Sequence, residues 1–435
     1  MSWEASLLIY VALLGVMISI GVPMALAMGL TGIVGLTLLH GTTLWPSLGD
    51  VVWNSTNSFT LVAVPLFVLM GEVLLKSGAA ERFYSGLSVL MGRVPGGLAQ
   101  SNILGSALFS AISGSSTATT LTIGTVAIPQ MRKRGYNDHL TFGTLTGGGA
   151  LGNLIPPSIF LLVYAAVVQA SAVELFVATI VPGLLAVAMF MVYVAIKARA
   201  NPGWVPPRGE PAAPRDIGRA LVDCIPISVL ILSIIGGMYG GIMTPTEAAG
   251  FGCLLAFVIA GLYRRLNLAA IRSACVNSIS ITCVLSLIII NGQILGLAVT
   301  HAGIGVGVSR ALVEMGLSPF IFFTFLFVLY LVLGAMLEGV SMMLLTVPVL
   351  YPTLKAMGFD DIWFGVFLVI QAELAQLSPP IGLNLIAVQS VARDAKLGLI
   401  MRATLPYAIM LSGLCFLLYM LPELALWLPQ MMRGQ

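Results

Sequence analysis

Two short segments interrupt long apolar runs at depths where a chain in lipid has nothing to replace its own hydrogen bonds. Gly152-Asn153-Leu154-Ile155-Pro156-Pro157-Ser158 and Gln376-Leu377-Ser378-Pro379-Pro380-Ile381-Gly382 each place adjacent prolines inside an otherwise hydrophobic stretch. Proline removes a backbone donor and breaks the helical ladder, so each segment leaves carbonyl oxygens bare at membrane depth. Pro156 and Pro379 lie 223 positions apart, and the same spacing relates Pro129 to Pro352, Gly135 to Gly358 and Tyr136 to Phe359. The chain reads as a duplication. Duplicated halves with interrupted helices near mid-membrane are the pattern of an ion and substrate site in secondary transporters.

With 58% hydrophobic and 9% charged residues over 435 positions and a mean hydropathy of +1.03, the aqueous globular class is excluded. The fold class expected is an all-α polytopic membrane protein with room for roughly ten to twelve spans of about 20 residues. The one polar, proline-rich interval runs from Arg199 to Asp216 and contains Pro206-Pro207-Arg208. It divides the chain into a first repeat (1–198), a cytoplasmic linker (199–220) and a second repeat (221–435). Cys224, Cys253, Cys275, Cys283 and Cys415 match no disulfide framework or metal cluster, and His40, His139 and His301 are isolated at span ends. No glycine-rich nucleotide loop, nucleophile elbow or zinc motif is present, so the expectation is a protein that is not an enzyme and binds no organic cofactor. Met1-Ser2-Trp3-Glu4 lacks the basic region of a cleaved signal and is read as the start of the first span.

Hydropathy places spans near 5–20, 24–40, 60–76, 140–168, 175–196, 221–240, 246–263, 275–298, 362–390 and 402–428. The stretches 98–128 and 318–350 carry small or polar clusters at their centres and read as re-entrant hairpins. Threaded this way, all 20 Lys and Arg residues except Arg310, Lys355 and Arg433 fall on one face. The positive-inside rule makes that face cytoplasmic and both termini periplasmic. Turning either hairpin into a single crossing would move several basic loops to the wrong side. The hairpins then open from opposite faces, which gives inverted-topology repeats. Trp45, Trp53, Trp363 and Trp427 fall at span ends as interfacial indoles do, and Glu81–Val94 reads as an amphipathic surface helix.

Seven hydroxyl residues crowd the first hairpin tip between Ser110 and Thr120. Hydroxyls and free carbonyls are hard ligands that replace the hydration shell of an alkali cation, and Na⁺ fits them. Helix N-termini at the tip and after the break suit an anionic substrate. The second tip, Gly334-Ala335-Met336-Leu337-Glu338-Gly339, holds a carboxylate where the first holds hydroxyls. Glu338 reads equally as a cation ligand, a proton carrier or a hydrogen-bonded structural group. Glu373 precedes the second break, and Glu247, after Thr244-Pro245-Thr246, reads as a helix start.

The run from Phe109 to Thr119, Ile128-Pro129 with Gly135-Tyr136, Gly152 to Ser158, Leu337-Glu338-Gly339 followed by Pro348 and Pro352, and Ser378-Pro379-Pro380-Ile381-Gly382-Leu383-Asn384 together resemble the large membrane subunit of tripartite ATP-independent periplasmic (TRAP) transporters, over essentially the whole chain. The resemblance implies an elevator-type symporter of the ion-transporter superfamily in the bacterial inner membrane, driven by two or more Na⁺ ions. It implies a periplasmic substrate-binding protein and a small four-helix membrane subunit, expected here as a separate chain because Met1 adjoins the first span. The substrate implied is a small organic acid anion, such as a dicarboxylate, keto acid or sugar acid; no nucleic acid is involved, and lipid surrounds the chain. By this resemblance one Na⁺ site uses the Ser110 and Ser113 region with carbonyls around Gly152, Ile155 and Pro157. The second uses Gly334 with groups near Ala375, Ser378 and Ile381, while Ser115, Thr117, Asn153 and Asn384 are candidates for substrate contact. Two rival readings are a symporter or antiporter of the same superfamily without a binding protein, and a passive channel, which would need a continuous polar path that the two clusters do not form.

Overall fold

The computed structural model describes residues 2–206, 213–265, 267–380 and 382–434. The centre of the expected linker and Ile381 lie outside the described residues. The first repeat comprises α1 (Trp3–Ser19), α2 (Met24–His40), α3 (Trp45–Thr56), α4 (Phe59–Lys76), α5 (Ala79–Leu90), α6 (Leu98–Ser113), α7 (Ser116–Lys133), α8 (Asp138–Gly149), α9 (Ile159–Val168) and α10 (Ala172–Ala200). The second comprises α11 (Pro214–Tyr239), α12 (Pro245–Leu262), α13 (Leu268–His301), α14 (Ile304–Glu314), α15 (Pro319–Gly334), α16 (Gly339–Ala356), α17 (Asp361–Leu377), α18 (Leu383–Val391) and α19 (Leu397–Met420), followed by α20 (Glu423–Met432). The architecture is all-α and polytopic, with inverted-topology repeats that each contain a hairpin (α6–α7, α15–α16) and a broken helix (α8–α9, α17–α18).

The duplication is visible in how the helices begin. Ser115 caps α7 and Glu338 caps α16 at the 223-residue spacing; Asn137 caps α8 and Asp360 caps α17 at the same spacing. In each case a short polar side chain satisfies backbone N–H groups that the first turn leaves without partners. Ion pairs repeat as well. Arg132 holds Asp138 at 2.9 Å and Lys355 holds Asp361 at 2.5 Å, so each hairpin's second arm is clasped to the helix that follows it. Arg132 also reaches Asp394 at 3.0 Å, and this guanidinium holds the Asp394 carboxyl below the ordinary carboxylate range. Glu247 starts α12 in a reciprocal capping box with Thr244, as the sequence predicts.

The repeats are interleaved. α2 packs along α13 of the other repeat and α12 along α4, while α5 lies on α11 and α1 on α14. Small residues permit the approach: a Cβ on Gly29 would sit 1.6 Å from Asn291 Oδ1, and one on Gly252 would sit 2.6 Å from Met70 Sδ.

Some expectations are corrected. The span expected to run to 428 ends at Met420, because Pro422 starts a separate helix, α20, that packs on α10. Trp363 is buried, not interfacial, and its indole N–H donates to the Leu418 carbonyl at 3.0 Å. The expected amphipathic helix ends at Leu90, with Phe83, Tyr84 and Leu87 buried. α3 and α14 were not among the expected elements; neither contains a long apolar run.

At the end of α8 three consecutive glycines each face a different helix. A Cβ would lie 2.3 Å from Tyr407 on Gly147, 2.8 Å from Ser106 Oγ on Gly148 and 1.8 Å from Thr120 Oγ1 on Gly149. Gly149→Ala is therefore expected to lower stability by about 1–3 kcal/mol through overpacking. Gly236→Ala, whose added Cβ meets nothing within 4 Å on α11, is expected to be neutral or stabilising by up to about 1 kcal/mol. Thermal unfolding of the detergent-purified chain measures both, and equal transitions for the two variants would contradict the tight α7–α8 contact.

Candidate cation and substrate site

α8 and α9 contain 12 and 10 residues, which span ~18 Å and ~15 Å. The gap between them therefore falls about halfway along the combined helix. Into this gap reaches the α6–α7 tip, where Gly114 takes a left-handed conformation (φ 56°) to reverse the chain within two residues. A Cβ on Gly152 would lie 2.2 Å from Ser116 Cα, and one on Gly114 would lie 3.4 Å from the Pro157 carbonyl oxygen. Tip and gap thus touch along backbone, and glycine is required on both sides.

Among the described residues, none of the carbonyl oxygens from Gly152 through Pro157 accepts a hydrogen bond. Such a run is expensive away from water unless another electrophile approaches it. Around it, Ser110 Oγ donates to the Ser106 carbonyl at 2.6 Å, and Ser110's own carbonyl receives the Gly114 N–H at 2.8 Å. Ser113 Oγ bonds with Thr119 Oγ1 at 2.8 Å and donates to the Ser115 carbonyl at 3.2 Å. The first candidate set (Ser110, Ser113, Gly152, Ile155, Pro157) therefore lies on two segments in contact, and its neutral oxygens suit a hard monovalent cation.

The second set is arranged differently. A Cβ on Gly334 would lie 2.2 Å from Ala375 Cβ, and one on Gly339 would lie 3.0 Å from Ala372 Cβ, so α15–α16 sits against the end of α17. Ser378 donates its N–H to the Ala375 carbonyl at 3.0 Å and its hydroxyl to the Leu374 carbonyl at 2.8 Å. Ile381 is outside the described residues. Pro379 and Pro380 are exposed, whereas Pro156 and Pro157 are buried. The first break is covered by its tip, whereas the second leaves both of its prolines exposed.

The four substrate candidates divide. Ser115 Oγ accepts from Ala118 N at 3.4 Å as a cap, and Thr117 Oγ1 donates to Gln376 Oε1 at 3.4 Å. Asn153 Nδ2 donates to Ser116 Oγ at 3.0 Å. Asn384, at the start of α18, is fully buried beside Gly149 and Thr120, and neither amide atom has a partner among the described residues. Glu338 caps α16, accepting from Val340 N at 3.0 Å and Ser341 N at 3.1 Å. This is the role that Ser115 plays in the first copy.

Sequence reasoning placed Glu373 only as a neighbour of the second break. In the structure it is fully buried and crosses to the other repeat: one carboxylate oxygen accepts from Ser116 Oγ at 2.5 Å and from Asn153 N at 2.7 Å. A carboxylate inside an apolar span was the available signal; its partners, 257 and 220 residues away, were not.

Inverted repeats whose hairpin tips meet broken helices define the class of secondary transporters. The chain belongs to the family of the tripartite ATP-independent periplasmic transporter, DctM component, whose profile matches residues 11–424. It is 33% identical to the C4-dicarboxylate TRAP transporter large permease protein DctM of Pseudomonas aeruginosa, covering 93% of each chain. It is 30% identical to the protein of the same description from Vibrio cholerae, covering 98% of each. Among solved structures, the YdaH transporter of Alcanivorax borkumensis shares the fold (TM-score 0.62, 14% identity, covering 93% of this chain and 98% of that one).

The capping role of Glu338 has a direct test. Glu338→Ser, which installs the first copy's cap, is expected to keep wild-type stability, while Glu338→Ala costs about 0.5–2 kcal/mol. Comparable destabilisation by both substitutions in thermal unfolding would show that the carboxylate does more than cap.

Proposed function

We propose that this subunit carries a small organic acid anion inward by Na⁺-coupled symport, with cations bound where each hairpin tip meets its broken helix. The observation that carries the reading is the run of carbonyls at 152–157, none of which accepts a hydrogen bond among the described residues, facing a hydroxyl-rich tip. A cation stripped of its water shell is the partner such oxygens suit. In that role Ser110, Ser113, Gly152, Ile155 and Pro157 hold one ion. Gly334, Ala375, Ser378 and Ile381 hold the other.

The N-termini of α7, α9, α16 and α18 all begin at the tips and breaks. Their partial positive charge favours an anion beside the cations. Asn384, buried with an unpartnered amide, is the strongest substrate contact, with Ser115, Thr117 and Asn153 nearer the first tip. The similar permeases of Pseudomonas aeruginosa and Vibrio cholerae are described as C4-dicarboxylate transporters, which favours a dicarboxylate over the keto and sugar acids.

The interleaved pairs α2–α13 and α4–α12 supply a scaffold, and the hairpins with their broken helices supply a unit that moves against it as an elevator. Charge placement puts the basic face in the cytoplasm and both termini in the periplasm of a bacterial inner membrane. A small membrane subunit and a periplasmic binding protein complete the assembly. Uptake of labelled C4-dicarboxylate by the reconstituted complex is expected to require both an inward Na⁺ gradient and the binding protein. Ser113→Ala and Pro157→Ala are expected to insert normally and to abolish this uptake. Wild-type Na⁺-driven transport in both variants removes these residues from the mechanism.

A further inference from the structure

We infer that Glu373 is a positioning residue by which the second repeat aims and polarises a cation-binding carbonyl of the first. This rests on the Na⁺ coupling proposed above. The duplication is broken here by a charge: the position equivalent to Glu373 at the 223-residue spacing is Ala150.

The contact geometry assigns the role. The N–H of Asn153 donates to Glu373 Oε1 at 2.7 Å. That N–H shares a planar trans peptide unit with the carbonyl of Gly152, so the two point in opposite directions. Anchoring the N–H on Glu373 therefore fixes the Gly152 oxygen away from Glu373. When a cation in the first site favours its ionised form, Glu373 also draws electron density toward that oxygen, as in any polarised hydrogen-bond chain.

The same Glu373 oxygen accepts from Ser116 Oγ at 2.5 Å, and Ser116 Oγ accepts from Asn153 Nδ2 at 3.0 Å. One carboxylate thus ties together the hairpin tip, the carbonyl run and α17. The other oxygen is buried with no partner among the described residues. Burial this complete disfavours the ionised form, so Glu373 carries a charge only when positive charge lies nearby to compensate it. The N-terminus of α7 and a cation in the first site supply that charge.

The test uses the purified full chain titrated with NaCl against choline chloride, following thermal unfolding. Glu373→Gln keeps an oxygen acceptor for Ser116 and Asn153 but removes the charge. It is expected to raise the half-saturating Na⁺ concentration by about 10–100-fold, the usual effect of losing a group that orients a metal ligand. Glu373→Asp, which keeps the charge on a shorter arm, is expected to lie between wild type and Glu373→Gln, and Asp394→Asn to match wild type. A Glu373→Gln titration that overlays wild type overturns the inference alone, and so does a Glu373→Asp shift as large as that of Glu373→Gln. A wild-type chain indifferent to Na⁺ overturns the coupling reading and this inference with it.

Discussion

A carbonyl oxygen in hydrocarbon has no water to turn to, and the six from Gly152 through Pro157 have no protein donor among the described residues either. The rest of the molecule is organised around this deficit. The prolines deepen it by removing the two donors that a continuous helix would offer the Gly152 and Asn153 carbonyls. The hairpin tip meets it, with Gly114 and Gly152 allowing backbone to lie against backbone. The hydroxyls from Ser110 to Thr120 occupy the tip because apolar side chains there would offer the gap nothing. A polar defect that a soluble protein would fill with water is, at membrane depth, suited to the cation proposed for it.

Duplication supplies that arrangement twice, and the differences between copies are as informative as the matches. Caps, ion pairs and turn glycines recur at one spacing, although serine is replaced by glutamate at one cap and arginine by lysine at one clasp. Local physics is therefore conserved between copies where the residue type is not. The breaks diverge: the prolines of the first are buried, those of the second exposed, and a single carboxyl from the second repeat reaches into the first. The two proposed sites, built on one plan but covered to different degrees, are therefore not expected to be equivalent.

What the sequence made legible was local. The proline pairs, the glycines at 135 and 358, and the polar tips within apolar stretches announce the breaks and hairpins because each is written in consecutive residues. Glu338 looked chemically distinctive in sequence, and the structure gives it the same capping work as Ser115. Glu373 carries no distinctive neighbours in sequence, and its place in the structure comes from partners hundreds of positions away. α3, with Asp50 and Asn54 among its twelve residues and none of them buried, is amphipathic and has no apolar run long enough to read as a span. The separation of α20 depends on Pro422, which one proline in an apolar stretch does not disclose, since prolines also lie inside α4, α10 and α19 without ending them.

The exchange of α2 and α12 between repeats bears on biogenesis. When the ribosome has delivered the first half, α2 and α4 are in the bilayer but their principal neighbours, α13 and α12, are not yet made. Until then the glycines of α2 that accommodate α13 have no helix against them, while α6, α7 and α8 already pack on one another within the first half. Assembly of this chain is consequently closer to closing a zip fastener than to stacking two blocks, and truncation anywhere before the end of α13 strands helices without their mates.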